Sequence, residues 1–267
     1  MTRVAIVKGE DRITNVLQAL ELAGNEVKRK VGGQVLVKVN AVMQDAPLAN
    51  THPDALRAVL AYLDFNDLGY EPMPLIDLQG LPLPVRITPT FRQFDCLISL
   101  SVPKAHSDAV ITLSGKNRMG FLENGQMWRI HGMREFGRDD NIQICSKVIH
   151  QNLRTLLAKV RPDVAVLDGF HSFEGGPVLQ CGRGDYVEPR LALAGADFVA
   201  VDSAATTVFG FNPLDVGYLV YASADGYGAR TGALPAQTGS QGGSIENVAV
   251  KIGICSGSSW IGYKQEE

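Results

Sequence analysis

Four short runs, each apolar at nearly every position, constrain this chain more than any other feature: residues 4–7, 35–39, 96–101 and 164–169. A strand that carries apolar side chains on both of its faces must be covered on both, as in the parallel sheet of an α/β protein. Between the runs lie segments of helical period. Ile13, Val16, Leu17 and Leu20 recur at helical spacing over 11–23, and Gly24 ends that helix. Ile144, Val148, Ile149, Leu153, Leu156 and Leu157 share one face of a helix over 140–160. Two further apolar helices are predicted over 198–209 and 213–222, and Thr51-His52-Pro53-Asp54 opens another that runs to about residue 63. Further strands are predicted over 75–78, 190–194 and 248–254. Alternating strands and helices define the expected fold: α/β, with a mostly parallel sheet, helices on both faces, three layers and a single domain over 1–267. A mobile loop rich in Gly, Gln, Ser and Ala is expected near 231–244.

Composition narrows the functional classes. Hydrophobic residues make up 45% of the 267 and charged residues 20%, enough apolar side chain for a large core and too much for a disordered chain. The net charge is -3 and no basic stripe is visible, which argues against a nucleic-acid binder. No apolar run is long enough to span a bilayer, so no membrane partner is expected. Residues 1–7 are too short and too strand-like for a secretory signal, and a cytosolic location is the expectation.

Cys96, Cys145, Cys181 and Cys255 stand far apart, with no C-x-x-C spacing for a zinc ribbon or an iron–sulfur cluster. Cys96, inside an apolar run, reads as a small buried hydrophobe. Cys181, two residues before Arg183, is the one candidate for a reactive thiol.

Ligands of open α/β sheets bind beyond the carboxyl ends of the parallel strands, so the polar residues that directly follow the apolar runs are the informative ones. Lys38 and Asn40 close the second run. Lys104 and His106 follow the run that contains Cys96, and Asp168, His171 and Glu174 end or follow the fourth. Ser114-Gly115-Lys116-Asn117-Arg118-Met119-Gly120 is a glycine-flanked basic loop with the composition of a phosphate cradle, without the Walker spacing. Each residue also has an ordinary structural reading. Lysines snorkel at strand ends, Asp168 before Gly169 suits a turn, His52 suits a helix start, and His150 in mid-helix packs. Their convergence on strand ends favours a site.

Taken in order, these strings resemble the uncharacterised family catalogued as domain of unknown function 362. The strings are Val37-Lys38-Val39-Asn40, Thr51-His52-Pro53, Pro103-Lys104-Ala105-His106, Gly115-Lys116-Asn117-Arg118-Met119-Gly120, His131, Asp168-Gly169, Glu174-Gly175-Gly176-Pro177 and 196–202. The resemblance implies an α/β fold and no particular activity. Two positions depart from the family pattern. Val39 stands where Pro is usual before the Asn, and Ala105 where Thr is usual between Lys and His, so no threonine hydroxyl acts there. The ferredoxin-like cysteines of some similar members are missing, and no iron–sulfur cofactor is carried over.

The expected ligand is a small anion, a carboxylate or a phosphate. Lys38, Lys104 and Lys116 would neutralise it, with Asn40, His52 and Asn117 beside them. His106 and His131 would exchange protons, since imidazole titrates near working pH. Asp168 or Glu174 would orient a histidine. A metal-assisted variant would take His106, His131 or His171 with a carboxylate as ligands. The competing reading is a binding or carrier module without chemistry. Acid, base and cation together exceed what binding alone needs, and weigh toward an enzyme. Asp197 and Asp202 are expected to be structural, Asp197 as the cap of the helix that begins near 198.

Overall fold

A computed structural model of the chain describes residues 4–30, 35–38, 51–52, 55, 69–123, 126–135, 142–174, 185–230 and 237–240. The elements follow the apolar pattern closely at first. Strand β1 (Val4–Lys8) leads into helix α1 (Arg12–Ala23). Asp11 caps that helix by accepting the Thr14 N–H at 2.7 Å, and Gly24 ends it at φ 83°, a left-handed value that glycine adopts without cost. A short helix α2 (Asn25–Lys30) follows, then β2 (Val35–Lys38).

The expected strand near 75–78 is instead one arm of a separate antiparallel hairpin, β3 (Glu71–Ile76) with β4 (Pro82–Ile87). Met73, Leu75, Leu83, Val85 and Ile87 face the core, while Pro72, Pro74, Pro82 and Pro84 occupy the alternate positions. Proline lacks an N–H and is tolerated where a strand has an open edge, which a two-stranded ribbon supplies on each side.

Strand β5 (Cys96–Ser101) is buried throughout, and two three-residue strands follow it, β6 (Lys104–His106) and β7 (Val110–Thr112). Two 3-10 turns, Lys116–Phe121 and Met127–His131, precede helix α3 (Ile142–Lys159). Then come β8 (Val164–Gly169), β9 (Ser172–Glu174), β10 (Asp185–Val187) and β11 (Leu191–Gly195). Helix α4 (Phe198–Val208), a 3-10 turn at Pro213–Asp215, helix α5 (Gly217–Ala224) and strand β12 (Gln237–Ser240) complete the described chain.

The main sheet has six strands in the order β12-β1-β11-β8-β5-β2. It is mixed rather than mostly parallel. β2, β5 and β8 pair parallel, as do β1 and β12, but β11 runs antiparallel to both of its neighbours. The reason lies between β8 and β11. A parallel return needs a long crossover, usually a helix, and the described chain after β8 carries the short strands β9 and β10 instead. Strand β12 falls inside the segment expected as a loop. The remainder of that segment and the expected strand over 248–254 lie outside the described residues, as does most of the helix expected after Thr51.

Alternation along the strands sorts the apolar side chains into two clusters. Ala5, Val7, Ile98, Leu100, Val164 and Val166 pack with Val16 and Ala19 of α1. Val4, Ile6, Ala165, Leu167, Leu191 and Leu193 pack with α3, α4 and the hairpin. Both helices expected over 140–160 and 198–209 are present. The third, expected over 213–222, starts later because residues 213–215 form a 3-10 turn. A smaller sheet, β10-β9-β6-β7, lies past the ends of β5 and β8 and carries Lys104 and His106. No helix among the described residues is long and apolar enough to cross a membrane.

Candidate active site

The parallel strands β2, β5 and β8 end toward the same side of the sheet, in a stagger, and one loop is bolted across the ends of β2 and β5. Asn117 donates from Nδ2 to the carbonyls of Lys38 at 2.9 Å and Leu100 at 3.2 Å, and to Ser99 Oγ at 3.2 Å. The glycine-flanked loop is therefore fixed to the carboxyl edge of the sheet. Its other anchor is Asp202 on α4, fully buried, which accepts from Ser114 N–H and Oγ–H, Gly115 N–H and the Tyr218 hydroxyl at 2.6–3.0 Å. Burial pushes the Asp202 carboxyl up to about 6, against the pull of those donors. A Cβ at Gly115 would strike the Tyr218 ring, and one at Gly120 would strike the Lys38 side chain. Both glycines are sites of close approach, and the second places the Lys38 ammonium over the loop.

Three lysines converge at this edge. Lys104 and Lys116 are buried, at 5% and 7% exposure, and Lys38 is partly buried. Burial, then repulsion from Lys116 and Lys38, lowers Lys104 to about 7. Burial and Arg118 lower Lys38 to about 8. Burial lowers Lys116 to about 8, with Asp108 pulling the other way. Arg118 is a fourth cation. It is completely buried, and none of its three guanidinium nitrogens has a hydrogen-bond partner among the described residues. Its side chain lies 5.6 Å from the Phe121 ring centroid.

His106 and His131 stack beside the lysines, with ring centroids 5.4 Å apart and planes inclined by 22°. His106 Nδ1 accepts from the backbone N–H groups of Asp108 at 3.1 Å and Ala109 at 3.3 Å. Burial, and after it Lys116, His131, Lys104 and His150, keep the His106 ring well below its usual pKa, so it is neutral. His131 Nδ1 bonds the carboxylate of Asp108. Burial raises the Asp108 pKa, but hydrogen bonds from His131 and Ser107 and the charge of Lys116 outweigh it, and the group stays an anion. The hairpin that holds Asp108 turns tightly. The Ile111 N–H reaches the Ala109 carbonyl at 2.7 Å around Val110, whose φ of 65° is strained for a β-branched residue.

The remaining candidates fall differently. Asp168 is buried at the end of β8 with Arg12 Nε 3.3 Å away, and burial raises its pKa while Arg12 restrains it. Arg12 also lies 4.8 Å from the Phe170 ring centroid. His52 and His171 act electrostatically on Asp168 or are acted on by it, so these residues form a second group centred on Arg12. Glu174 ends β9, with its side chain outside the described residues, where Asn40 and Cys181 also fall. His150 packs as expected. Its ring stacks on Tyr218, its Nδ1 accepts the Tyr218 N–H at 3.2 Å, and burial lowers it to about 4. Asp197 caps α4 by accepting the Ala200 N–H at 3.0 Å and also holds the Ala229 N–H at 2.9 Å. Sequence reasoning missed Asp108 and Arg118. The spacing Lys104-x-His106-x-Asp108 is the signal that could have exposed the first. Among the described residues no group of three or more His, Cys, Asp or Glu is arranged to hold a metal ion.

Fold and site together define an α/β protein with a buried cationic cluster and a histidine pair at the carboxyl edge of its parallel strands. The chain belongs to the family described as Domain of unknown function (DUF362), which it matches over residues 63–207, more than half its length. That span includes Lys104, His106, Asp108, Lys116, Arg118 and His131; Lys38 and His52 precede it. No curated protein and no solved structure matches the chain.

Proposed function

We propose that this is a cytosolic enzyme that binds a small carboxylate or phosphate at the carboxyl edge of β2, β5 and β8 and moves a proton on it with its histidines. One observation carries the reading: Lys38, Lys104 and Lys116 share one enclosed place, where burial lowers each ammonium and the charges of Lys116 and Lys38 lower Lys104 further. Such a cluster costs stability in an empty protein, and an anion lowers that cost by supplying the opposite charge. Lys104, His106 and His131 are the groups placed to act on the bound molecule, with Lys38 and Lys116 holding its charge.

The test is thermal-shift titration of the whole chain with phosphate, citrate and small hydroxy acids. At least one should raise the midpoint. Lys104→Ala and Lys116→Ala should each weaken the response, and added salt should weaken it further for any solvent-exposed part of the site. Stabilisation by a neutral apolar compound or an oligonucleotide, with none from these anions, would refute the proposal.

A further inference from the structure

We infer that Asp108 is a positioning residue that gives the two stacked imidazoles opposite tautomers, making His131 the base and His106 the hydrogen-bond donor of one paired unit. Both rings turn the same atom toward residue 108. His131 Nδ1 meets its side-chain carboxylate, and His106 Nδ1 meets its backbone N–H and that of Ala109. A backbone N–H can only donate, so His106 Nδ1 is an acceptor without a proton. The neutral ring then carries its single proton on Nε2. A carboxylate can only accept, so His131 Nδ1 carries a proton, and in the neutral ring Nε2 is the atom with the lone pair. With both Nδ1 atoms tied to residue 108 and the rings 5.4 Å apart at 22°, both Nε2 atoms point away from Asp108 on neighbouring, nearly parallel rings. One offers a proton and the other a lone pair.

The consequence is a division of labour within the proposed site. The lysines supply positive charge but no lone pair once an anion holds them protonated. His131 Nε2 takes a proton from the ligand, and the resulting imidazolium is stabilised through Nδ1–H by the Asp108 carboxylate. His106 Nε2–H donates a hydrogen bond to the ligand atom on which negative charge then develops. The proton lost by the ligand resides on His131, and the charge left behind is met by His106 and the ammonium groups. What the histidines act on rests on the anion-site reading; the tautomers themselves do not.

The experiment is a two-bond proton–nitrogen NMR correlation of the ligand-free protein labelled with 15N-histidine, at a pH above 7. His106→Gln and His131→Gln assign the two rings. The expected result is opposite patterns: His106 protonated on Nε2, His131 protonated on Nδ1. Asp108→Ala, which removes the acceptor, should abolish the bias of His131 toward the Nδ1–H form, while His106, held by backbone donors, keeps its pattern. Finding both rings in the same tautomer, or His131 unchanged in Asp108→Ala, would overturn the inference. The wild-type spectrum decides the tautomers even if the variant fails to fold. It needs no ligand, so its failure is distinguishable from a failure of the anion titrations.

Discussion

The lysine cluster makes the folded protein's stability rise with pH in a range where most proteins gain nothing. Lys104 titrates at about 7 in the folded chain and near 10.5 once exposed. Between those values the unfolded chain holds a proton that the folded chain has shed. Raising the pH therefore favours the folded state, by up to about 1.4 kcal/mol per pH unit for each such lysine. From pH 7 to 8.5 Lys104 alone should contribute about 1.6 kcal/mol on this linkage. Lys38 and Lys116, each at about 8 against 10.5, start to shed their protons later and should add about 0.8 kcal/mol each. The total, about 3 kcal/mol, is an upper figure, because deprotonation of Lys38 and Lys116 relieves the repulsion that helps to lower Lys104.

Urea unfolding at pH 7, 7.75 and 8.5 measures this. A gain of about 3 kcal/mol moves the midpoint by about 1 M for a chain of this size. Lys104→Met supplies the control, because every other titrating group, the cysteines included, is common to both proteins. The stability difference between wild type and variant should change by about 1.6 kcal/mol across the range, with the variant the flatter of the two. If both proteins show the same slope, Lys104 has the same protonation in folded and unfolded chains, and the electrostatic account of the site is wrong.

Asp202→Ala strips an acceptor from four buried donors and should cost about 3–5 kcal/mol, read from the urea midpoint; a loss under about 1 kcal/mol would mean water replaces the carboxylate easily. Asn117→Asp should be worse than Asn117→Ala, since the aspartate sets a second acceptor against the carbonyls of Lys38 and Leu100 where the alanine only loses the donor, about 1–3 kcal/mol. Thermal unfolding of the two variants would rank them, and the reverse order would show that the loop is not fixed through Nδ2. Asp197→Ala should cost about 1 kcal/mol as a lost cap and leave the thermal response to anions intact; losing that response in a folded variant would assign Asp197 to the site.

What was legible in the sequence follows the strength of each physical signal. The runs that became β1, β2, β5 and β8 are apolar on both faces, and only burial on both sides accommodates that. Helices α1, α3 and α4 announce themselves by period and by Asp11, Gly24 and Asp197 at their ends. The β3–β4 hairpin was hidden because four prolines read as strand breakers, although each sits at an open edge of a two-stranded ribbon. Strands of three residues, such as β6 and β9, are too short to show a period at all. The reversed β11 depends on the connection before it, not on its own residues. Within the site, the position of Lys104, His106 and Lys116 after strand ends was readable, because the sheet determines where its strands stop. Asn117 looked like a ligand-binding amide, yet its Nδ2 is occupied by the backbone. Arg118 looked like part of an exposed basic loop, and it turns into the interior instead. A side chain's direction out of a 3-10 turn is set by tertiary packing, and nothing local in the sequence encodes it. Asp108 was missed for the same reason: its partner His131 lies on a different turn, and only the folded hairpin brings them together.

Protonation ties the proposed ligand to the division of roles among these residues. A dianion entering the cluster near pH 8 raises the pKa of each lysine it meets, so binding should take up protons from solution. Once bound, the ammonium of Lys104 is charged and has no lone pair to accept a proton, whatever its state in the empty protein. His106 cannot serve as the base either, because its Nδ1 faces two backbone N–H groups and its Nε2 already bears hydrogen. His150 is turned toward the Tyr218 N–H, and Asp108 is held by His131. Of the described groups gathered at this edge, Nε2 of neutral His131 is the one with a lone pair left when the lysines are charged. The same positive charge that holds the anion thus removes the lysines from service as bases and leaves proton abstraction to the imidazole that the carboxylate of Asp108 orients.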